Sequence, residues 1–579
     1  MKARALLLTW FSLWFLLVCS AAQPCSAETA EMTDSFFVAG TITDSHKEPV
    51  KESRLRLLVN GSPHKVIVEG KEVDEAEASS HGTYQFEFRL PKSQCGSAKL
   101  QIEVSKTSFR TAVVDVKRED FAIGKSYFAQ KNVELARTLG PAFYIATGVF
   151  LIAYVAISFE LLHRTIAAML GAAAMLLITY TMGTLNAEYH IISFPRAMQA
   201  IDMNVIFLLM GMMIIVGVLK HTGVFQWCAY LSFKIAKGNV FVLCLISMIF
   251  IATTSAFLDN VTTMLLYTPV LIQIAVSLRI SPLILLLPGI MASNVGGTAT
   301  LIGDPPNIMI GSYTGFTFMQ FVTNLTLVCI ISTVALFIYT KFYYRKDYAQ
   351  VKVENLDSFI ADLKERYRIT DKTLLGYGLV IMAIVIGFFL THGFWHMEVS
   401  IPALFGAGLL FTYAILTKRV KMLELVEKDI EWTTLLFFIF LFMIVGAVEE
   451  AGLLAIIADW VLDLSQGNLI VAITLILWVS AIMSAFVDNI PFTATMLPIV
   501  AYLTKVIPGA ESNVLWWALA LGACLGGNGT MIGASANVVT VGIAEAAGYH
   551  IRFFGFMKYA FAYMLISVAI CHAWLLIFY

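Results

Sequence analysis

Residues 255–269 read SAFLDNVTTMLLYTP, and residues 484–498 read SAFVDNIPFTATMLP. Each stretch puts an Asp-Asn pair inside a long apolar run and ends on a proline, Pro269 or Pro498. An acid in an apolar run is costly and is a functional-site hypothesis by default. Its recurrence in the same local sequence points to a duplication.

Displacing the chain by 229 positions (259 to 488) aligns 201–270 with 430–499 without a gap. Ile215-Val216-Gly217 falls on Ile444-Val445-Gly446, Gly223 on Gly452, and Gly238-Asn239 on Gly467-Asn468. One further position brings NVGGTATLIGDPPN (294–307) onto CLGGNGTMIGASAN (524–537). An ordered series of matches at one spacing is the signature of an internal repeat.

Composition sets the frame. Of 579 residues 58% are hydrophobic and 14% charged, where a soluble chain carries about 25% charged residues. The mean hydropathy is +0.78. A net charge of −1 gives no basis for nucleic-acid binding. Eight scattered cysteines without CxxC spacing indicate neither a disulfide framework nor a zinc site. The expected fold class is an α-helical polytopic membrane protein preceded by a small all-β sandwich.

Lys2 and Arg4 precede the apolar run LLLTWFSLWFLLV, so residues 1–27 read as a secretory signal peptide, with an uncleaved anchor as the alternative. Residues 28–135 read as an extracytoplasmic β-sandwich and linker, because TYQFEFRL, AKLQIEVS and TAVVDVK alternate between turn residues. GTITDSHKEPV and HGTYQFEF give this part a resemblance to transthyretin-like and carboxypeptidase-regulatory modules. Residues 139–340 form the first transmembrane repeat, 341–372 a charged linker and 373–579 the second repeat.

Lys and Arg gather in 341–372 and 417–430, with more at Arg164, Lys220, Lys234, Lys237, Arg279, Arg552 and Lys558, and the positive-inside rule makes this set cytoplasmic. Lys220 and Lys237 of copy one correspond to Glu449 and Gln466 of copy two, so equivalent positions face opposite sides. The repeat is therefore read as inverted, an architecture common in secondary transporters. Each Asp-Asn pair is expected at the tip of a re-entrant hairpin, beside a helix broken at 294–307 or 526–537. About ten crossings accompany the two hairpins, with both ends and the β-domain outside.

Helix breakers at membrane depth survive only where protein or a polar cavity surrounds them. Two half-sites follow. Asp259, Asn260, Asn294, Gly297, Thr298, Thr300, Asp304 and Asn307 line one, and Asp488, Asn489, Asn528, Thr530, Ser535 and Asn537 line the other. The local alternative for each acid is a helix N-cap. Windows 255–270, 293–312, 484–499 and 524–540 contain three Asp and no Lys or Arg. Cations, protons or a neutral solute fit them more readily than a bare anion, with Na⁺ or H⁺ as coupling ion and Na⁺ near Asp259, Asn260, Asp488 and Asn489. No catalytic residues and no cofactor are expected.

SAFLDNVTTMLLYTPV with NVGGTATLIGDPPNIMI, and SAFVDNIPFTATMLPIV with GACLGGNGTMIGASANVV, resemble the ion transporter superfamily over about 140–579. The likeness is to its citrate transporter-like, NhaD-related ArsB/P-protein branch, which includes arsenite permeases. The resemblance implies a homodimer in a lipid membrane, an elevator-type transport domain, and ion and solute binding at the hairpin tips and broken helices. Dicarboxylate symporters of that superfamily read Ser-Asn-Thr at the tips, where this chain has Asp259-Asn260-Val261 and Asp488-Asn489-Ile490. That departure counts against carboxylate substrates, although a sodium-coupled carboxylate symporter stays open. A diaspartyl intramembrane protease would need a GxGD block, and TLIGDPP has Leu301 at its first glycine. A membrane sensor with an external β-domain is the remaining alternative.

Overall fold

The computed structural model describes residues 33–349, 360 and 363–579, apart from 45–46, 48, 51–52, 69, 80, 92–97, 107 and 124–126. The expected signal peptide, 1–27, lies outside the described residues. The chain divides into two compact units, Met1–Thr138 and Leu139–Tyr579.

In the first unit Thr33–Asp44 pairs antiparallel with Thr83–Pro91, setting Phe36 opposite Phe88 and Val38 opposite Phe86. Side chains alternate across a strand, so TYQFEFRL buries Tyr84, Phe86, Phe88 and Leu90. A second sheet pairs Arg54–Val59 with Leu100–Ser105 and the latter with Ala112–Val116. Its Leu55, Leu57, Ile102 and Val104 are buried in the same core as the first sheet's aromatics. Two sheets around one core make the expected sandwich. Thr33–Asp44 also takes Tyr127–Gln130 and Val133–Leu135 as parallel neighbours, which residue alternation does not reveal.

The second unit is helical and repeats itself. Copy one runs Met203–Lys220, Val224–Ala236, Val240–Phe257, Asn260–Ser277, Leu283–Thr298, Pro305–Thr314 and Phe318–Tyr343. Copy two runs Trp432–Ala451, Leu453–Ser465, Leu469–Phe486, Asn489–Val506, Val514–Gly526, Ser535–Ala546 and Phe553–Phe578. The joints repeat as well. Gly223 and Gly452 take left-handed φ of 77° and 94°, a region open to glycine at little steric cost. Asn239 and Asn468 cap the next helix by accepting from the N–H groups of Val242 and Val471. Each copy is preceded by two helices, Pro141–Ser158 and Arg164–Leu185 for the first, Lys372–Trp395 and Ser400–Leu416 for the second.

The leading helices of the two copies run antiparallel. A Cβ on Gly217, near the end of Met203–Lys220, would lie 2.8 Å from Asp429 Cβ, just ahead of Trp432–Ala451. The equivalent Gly446 meets Ala200, equivalent to Asp429, at 2.6 Å. Reciprocal ion pairs close both ends, Lys220–Asp429 at 2.9 Å and Arg196–Glu450 at 2.8 Å. The end of each helix thus lies beside the start of its counterpart.

Among the described residues ten helices are long and apolar enough to cross a membrane. They are not the ten crossings read from sequence. Val240–Phe257, Asn260–Ser277 and Leu469–Phe486 are among them, while Ser400–Leu416 falls in the shorter class. Length and hydropathy do not separate an arm of a helix–turn–helix pair from a span.

Candidate functional site

Two helix–turn–helix pairs build the centre. Leu258-Asp259 joins Val240–Phe257 to Asn260–Ser277, and Val487-Asp488 joins Leu469–Phe486 to Asn489–Val506. Beside each turn lies a break, between Leu283–Thr298 and Pro305–Thr314 in copy one and between Val514–Gly526 and Ser535–Ala546 in copy two.

Glycine lets turn and break approach. A Cβ on Gly296 would come to 2.2 Å from the Ala252 carbonyl oxygen, and one on the equivalent Gly526 to 2.4 Å from that of Ala481. At Gly303 it would meet the Ser255 carbonyl oxygen at 2.5 Å. Only backbone fits there. The hydroxyls then repeat one pattern: Thr300 donates to the Ala256 carbonyl and Thr530 to that of Ala485. Asn307 donates to the carbonyls of Thr298 and Thr300 at 2.9 and 2.8 Å, and Asn537 to those of Gly527 and Thr530 at 2.7 and 2.8 Å. The two Asn satisfy carbonyls that the breaks leave without partners, and the two Thr satisfy carbonyls in the last turn of the neighbouring arms.

The two half-sites meet. Asn260 donates to Asn294 Oδ1 at 3.1 Å, and Asn294 donates to Asn528 Oδ1 and Asn537 Oδ1 at 3.0 and 3.1 Å. One amide chain thereby links the first turn, the helix before the first break, and the second break. Asn489 of the second turn donates to Asp304 Oδ1 at 3.2 Å. Every one of these side chains is at most 2% exposed.

The three acids differ in what holds them. Asp259 caps its own helix, accepting from the Thr262 N–H at 2.9 Å and from the Thr262 hydroxyl. Asp488 accepts from the Ile490 N–H at 3.2 Å, the Ser535 hydroxyl at 3.1 Å and Arg164 at 3.1 Å. Asp304 stands at an N-cap position without a capping hydrogen bond. The reason is local: Pro305 and Pro306 carry no N–H, and the next N–H, that of Asn307, goes to the Asp304 backbone carbonyl at 3.0 Å. Its Oδ2 accepts no hydrogen bond among the described residues, and neither does Asn260 Oδ1; Asn528 Nδ2 likewise donates none. Buried polar atoms are nearly always paired, so three orphans in one cluster point to a ligand. Two of the three are acceptors, as a cation or a proton donor requires. No cluster of three or more metal-binding His, Cys, Asp or Glu occurs among the described residues.

Sequence reasoning counted Arg164 among the cytoplasmic cations and missed it at the centre. Its guanidinium reaches Asp488, donates to the hydroxyls of Ser535 and Thr434, and lies 5.2 Å over the Phe437 ring. It sits 324 positions from Asp488, outside the segments that carry the turns and breaks. Cys524 occupies the position equivalent to Asn294 and directs its thiol at Asn307 Oδ1, 3.6 Å away. It is buried and free of disulfide.

Comparison with known proteins agrees with this architecture. Residues 154–522 match the citrate transporter family. An uncharacterized transporter of Mycobacterium tuberculosis is 39% identical over 432 residues, 74% of this chain and 97% of that protein. The chain belongs to the citrate transporter family. Within that family setting, the 46 kDa membrane protein of Mycobacterium leprae is also 39% identical over 432 residues, 74% of this chain and 97% of its own. The human P protein is 32% identical over 508 residues, 75% of this chain and 59% of that protein. The family and these relatives make the chain a multi-pass membrane transporter and not an enzyme. They accord with the resemblance to the ion transporter superfamily.

Proposed function

We propose that this chain is a secondary active transporter moving a small inorganic ion, or a neutral or anionic solute, driven by protons or sodium. The observation that carries the reading is the amide chain Asn260–Asn294–Asn528/Asn537, which joins two symmetry-related half-sites into one buried polar centre. Backbone interrupted at membrane depth is tolerated around such a centre, and inverted repeats with broken helices supply it in secondary transporters. The antiparallel leading helices support the inversion.

In this reading the two helix–turn–helix pairs are re-entrant hairpins entering from opposite sides, and the helices carrying the centre move as an elevator within a homodimer. The β-sandwich lies outside, while 341–372 and 417–430 are cytoplasmic. Asp259 and Asp304 supply the negative charge that attracts a coupling cation, and Asp488 holds Arg164 in the second half-site. Carboxylate symport is the second reading, favoured by Arg164, a fixed positive charge at the centre.

The test is flux into reconstituted vesicles for Na⁺, H⁺, arsenite, chloride and dicarboxylates, run beside Asp259→Asn and Asp488→Asn. The proposal expects one solute to move in a cation-dependent way and both variants to slow it. Wild-type rates from both variants would remove the carboxylates from the mechanism.

A further inference from the structure

Two equal half-sites ought to bind two equal cations, yet the two turns are not equally provided. Asp259 and Asp488 occupy equivalent positions in the repeat. Asp488 has Arg164 at 3.1 Å, whereas no Lys or Arg pairs with Asp259 among the described residues. Helix Ser400–Leu416, the counterpart of Arg164–Leu185, carries SIPAL in its first turn and no cation.

Arg164 is placed for reach and not for helix stability. It is the first residue of Arg164–Leu185, where the helix dipole disfavours positive charge. The guanidinium is nevertheless held by Asp488, Ser535, Thr434 and the face of Phe437. Arginine keeps its charge at any working pH. With Ile490 N–H on Oδ1 and both Ser535 and Arg164 on Oδ2, Asp488 is already neutralised and hydrogen-bonded. The orphan acceptors lie elsewhere, on Asn260 of the first turn and on Asp304. Asp304 is within electrostatic range of both Asp259 and Asp488. Glu431 accepts from the same Thr434 hydroxyl at 3.1 Å.

We propose that Arg164 is a tethered cation that fills the second half-site, so that each transport cycle draws one external cation, held by the first half-site and Asp304, and not two. The inference rests on the transport reading above and deepens it. An unpaired carboxylate at this depth is expensive. A built-in guanidinium removes the need for a second ion at Asp488.

Flux in reconstituted vesicles is measured against Na⁺ at fixed pH and against pH at fixed Na⁺, and the cation that drives the wild type is titrated. The wild type is expected to show a Hill coefficient of about one, rising toward about two in Arg164→Gln as the second half-site opens to an external ion. Arg164→Lys, which keeps the tethered charge, stays at the wild-type order. Asp488→Asn also keeps that order, because its carboxylate does not take the external ion, and Asp259→Asn loses the cation dependence. The second readout is thermal stability in detergent with NaCl against choline chloride, and across pH. Arg164→Gln gains cation-dependent stabilisation that Arg164→Gln/Asp488→Asn lacks. A merely structural Arg164 would lower the maximal rate without changing the cation order. An unchanged order with no new stabilisation in Arg164→Gln overturns the proposal. So does loss of cation dependence in Asp488→Asn, which serves as the test should Arg164→Gln fail to fold. Vesicles that move none of the solutes would count against the transport reading, and the stability measurement would still decide the role of Arg164.

Discussion

Asn489 of the second turn donates its side-chain amide to the Asp304 carboxylate of the first break at 3.2 Å, across 185 positions of sequence. The contact crosses from one copy of the repeat to the other. Together with the Asn294 bridges to Asn528 and Asn537, it makes the centre a joint product of both copies, and the predictions below follow from that sharing.

Asn294→Ala removes the donor to both Asn528 and Asn537 and the acceptor for Asn260. Each buried partner left unpaired costs about 1–3 kcal/mol. Flux should fall by about tenfold or more, with a lower Tm. Cys524→Ala, which removes a long 3.6 Å thiol contact to Asn307 and the thiol's interaction with Asp304 and Thr298, should have a smaller effect in the same assay.

Gly296→Ala and Gly526→Ala each drive a methyl into a backbone carbonyl, at 2.2 and 2.4 Å. The helices must move apart, so both variants should show a large loss of folded, monodisperse protein by size-exclusion chromatography. Gly387→Ala serves as control: nothing lies within 4 Å of its added methyl, and alanine there should be neutral or stabilising by about 0.5–1 kcal/mol.

Asp429 accepts from Lys220 and from His221, each at 2.9 Å, and its side chain is only 4% exposed. Lys220 and His221 are 38% and 29% exposed, so solvent compensates them in part and the loss stays below the full cost of breaking a buried pair. Asp429→Ala should lower Tm markedly. Exchanging the charges of the reciprocal pair, Arg196→Glu with Glu450→Arg, should recover part of what either single substitution loses.

Acid should weaken the β-sandwich. Lys131 hydrogen-bonds the Asp120 side chain, and with the Lys117 N–H it holds that carboxyl below its usual value, burial opposing. A depressed pKa means that the stabilisation is present above the unfolded value, about 3.9. It is lost as pH falls through the folded value. The thermal midpoint of this unit should therefore drop below about pH 4, and Lys131→Ala should flatten that dependence.

Much of this was legible in the sequence because helix breakers and acids in apolar runs have few explanations. The turns at Asp259 and Asp488, the breaks after Gly296 and Gly526, and the repeat itself follow from residue type and one spacing. The place of Asp304 in the first break was legible. Its freedom from capping was not, since that depends on two prolines offering no N–H and on Asn489 arriving from the other copy. Arg164 was hidden because its partner lies in a distant segment, and a search of local windows cannot register such a contact. The number of crossings was obscured for a different reason: an arm such as Val240–Phe257 is as apolar as a span.

The central claim, that both copies contribute to one binding centre, is tested most directly by a double-mutant cycle on cation or solute binding to purified protein. Asn260→Ala in the first half and Asn528→Ala in the second are compared singly and together by isothermal titration calorimetry. A single centre predicts one binding isotherm, weakened by either substitution, with the double variant departing from additivity by about 0.5 kcal/mol or more. Two independent isotherms, each weakened by only one substitution, would contradict it.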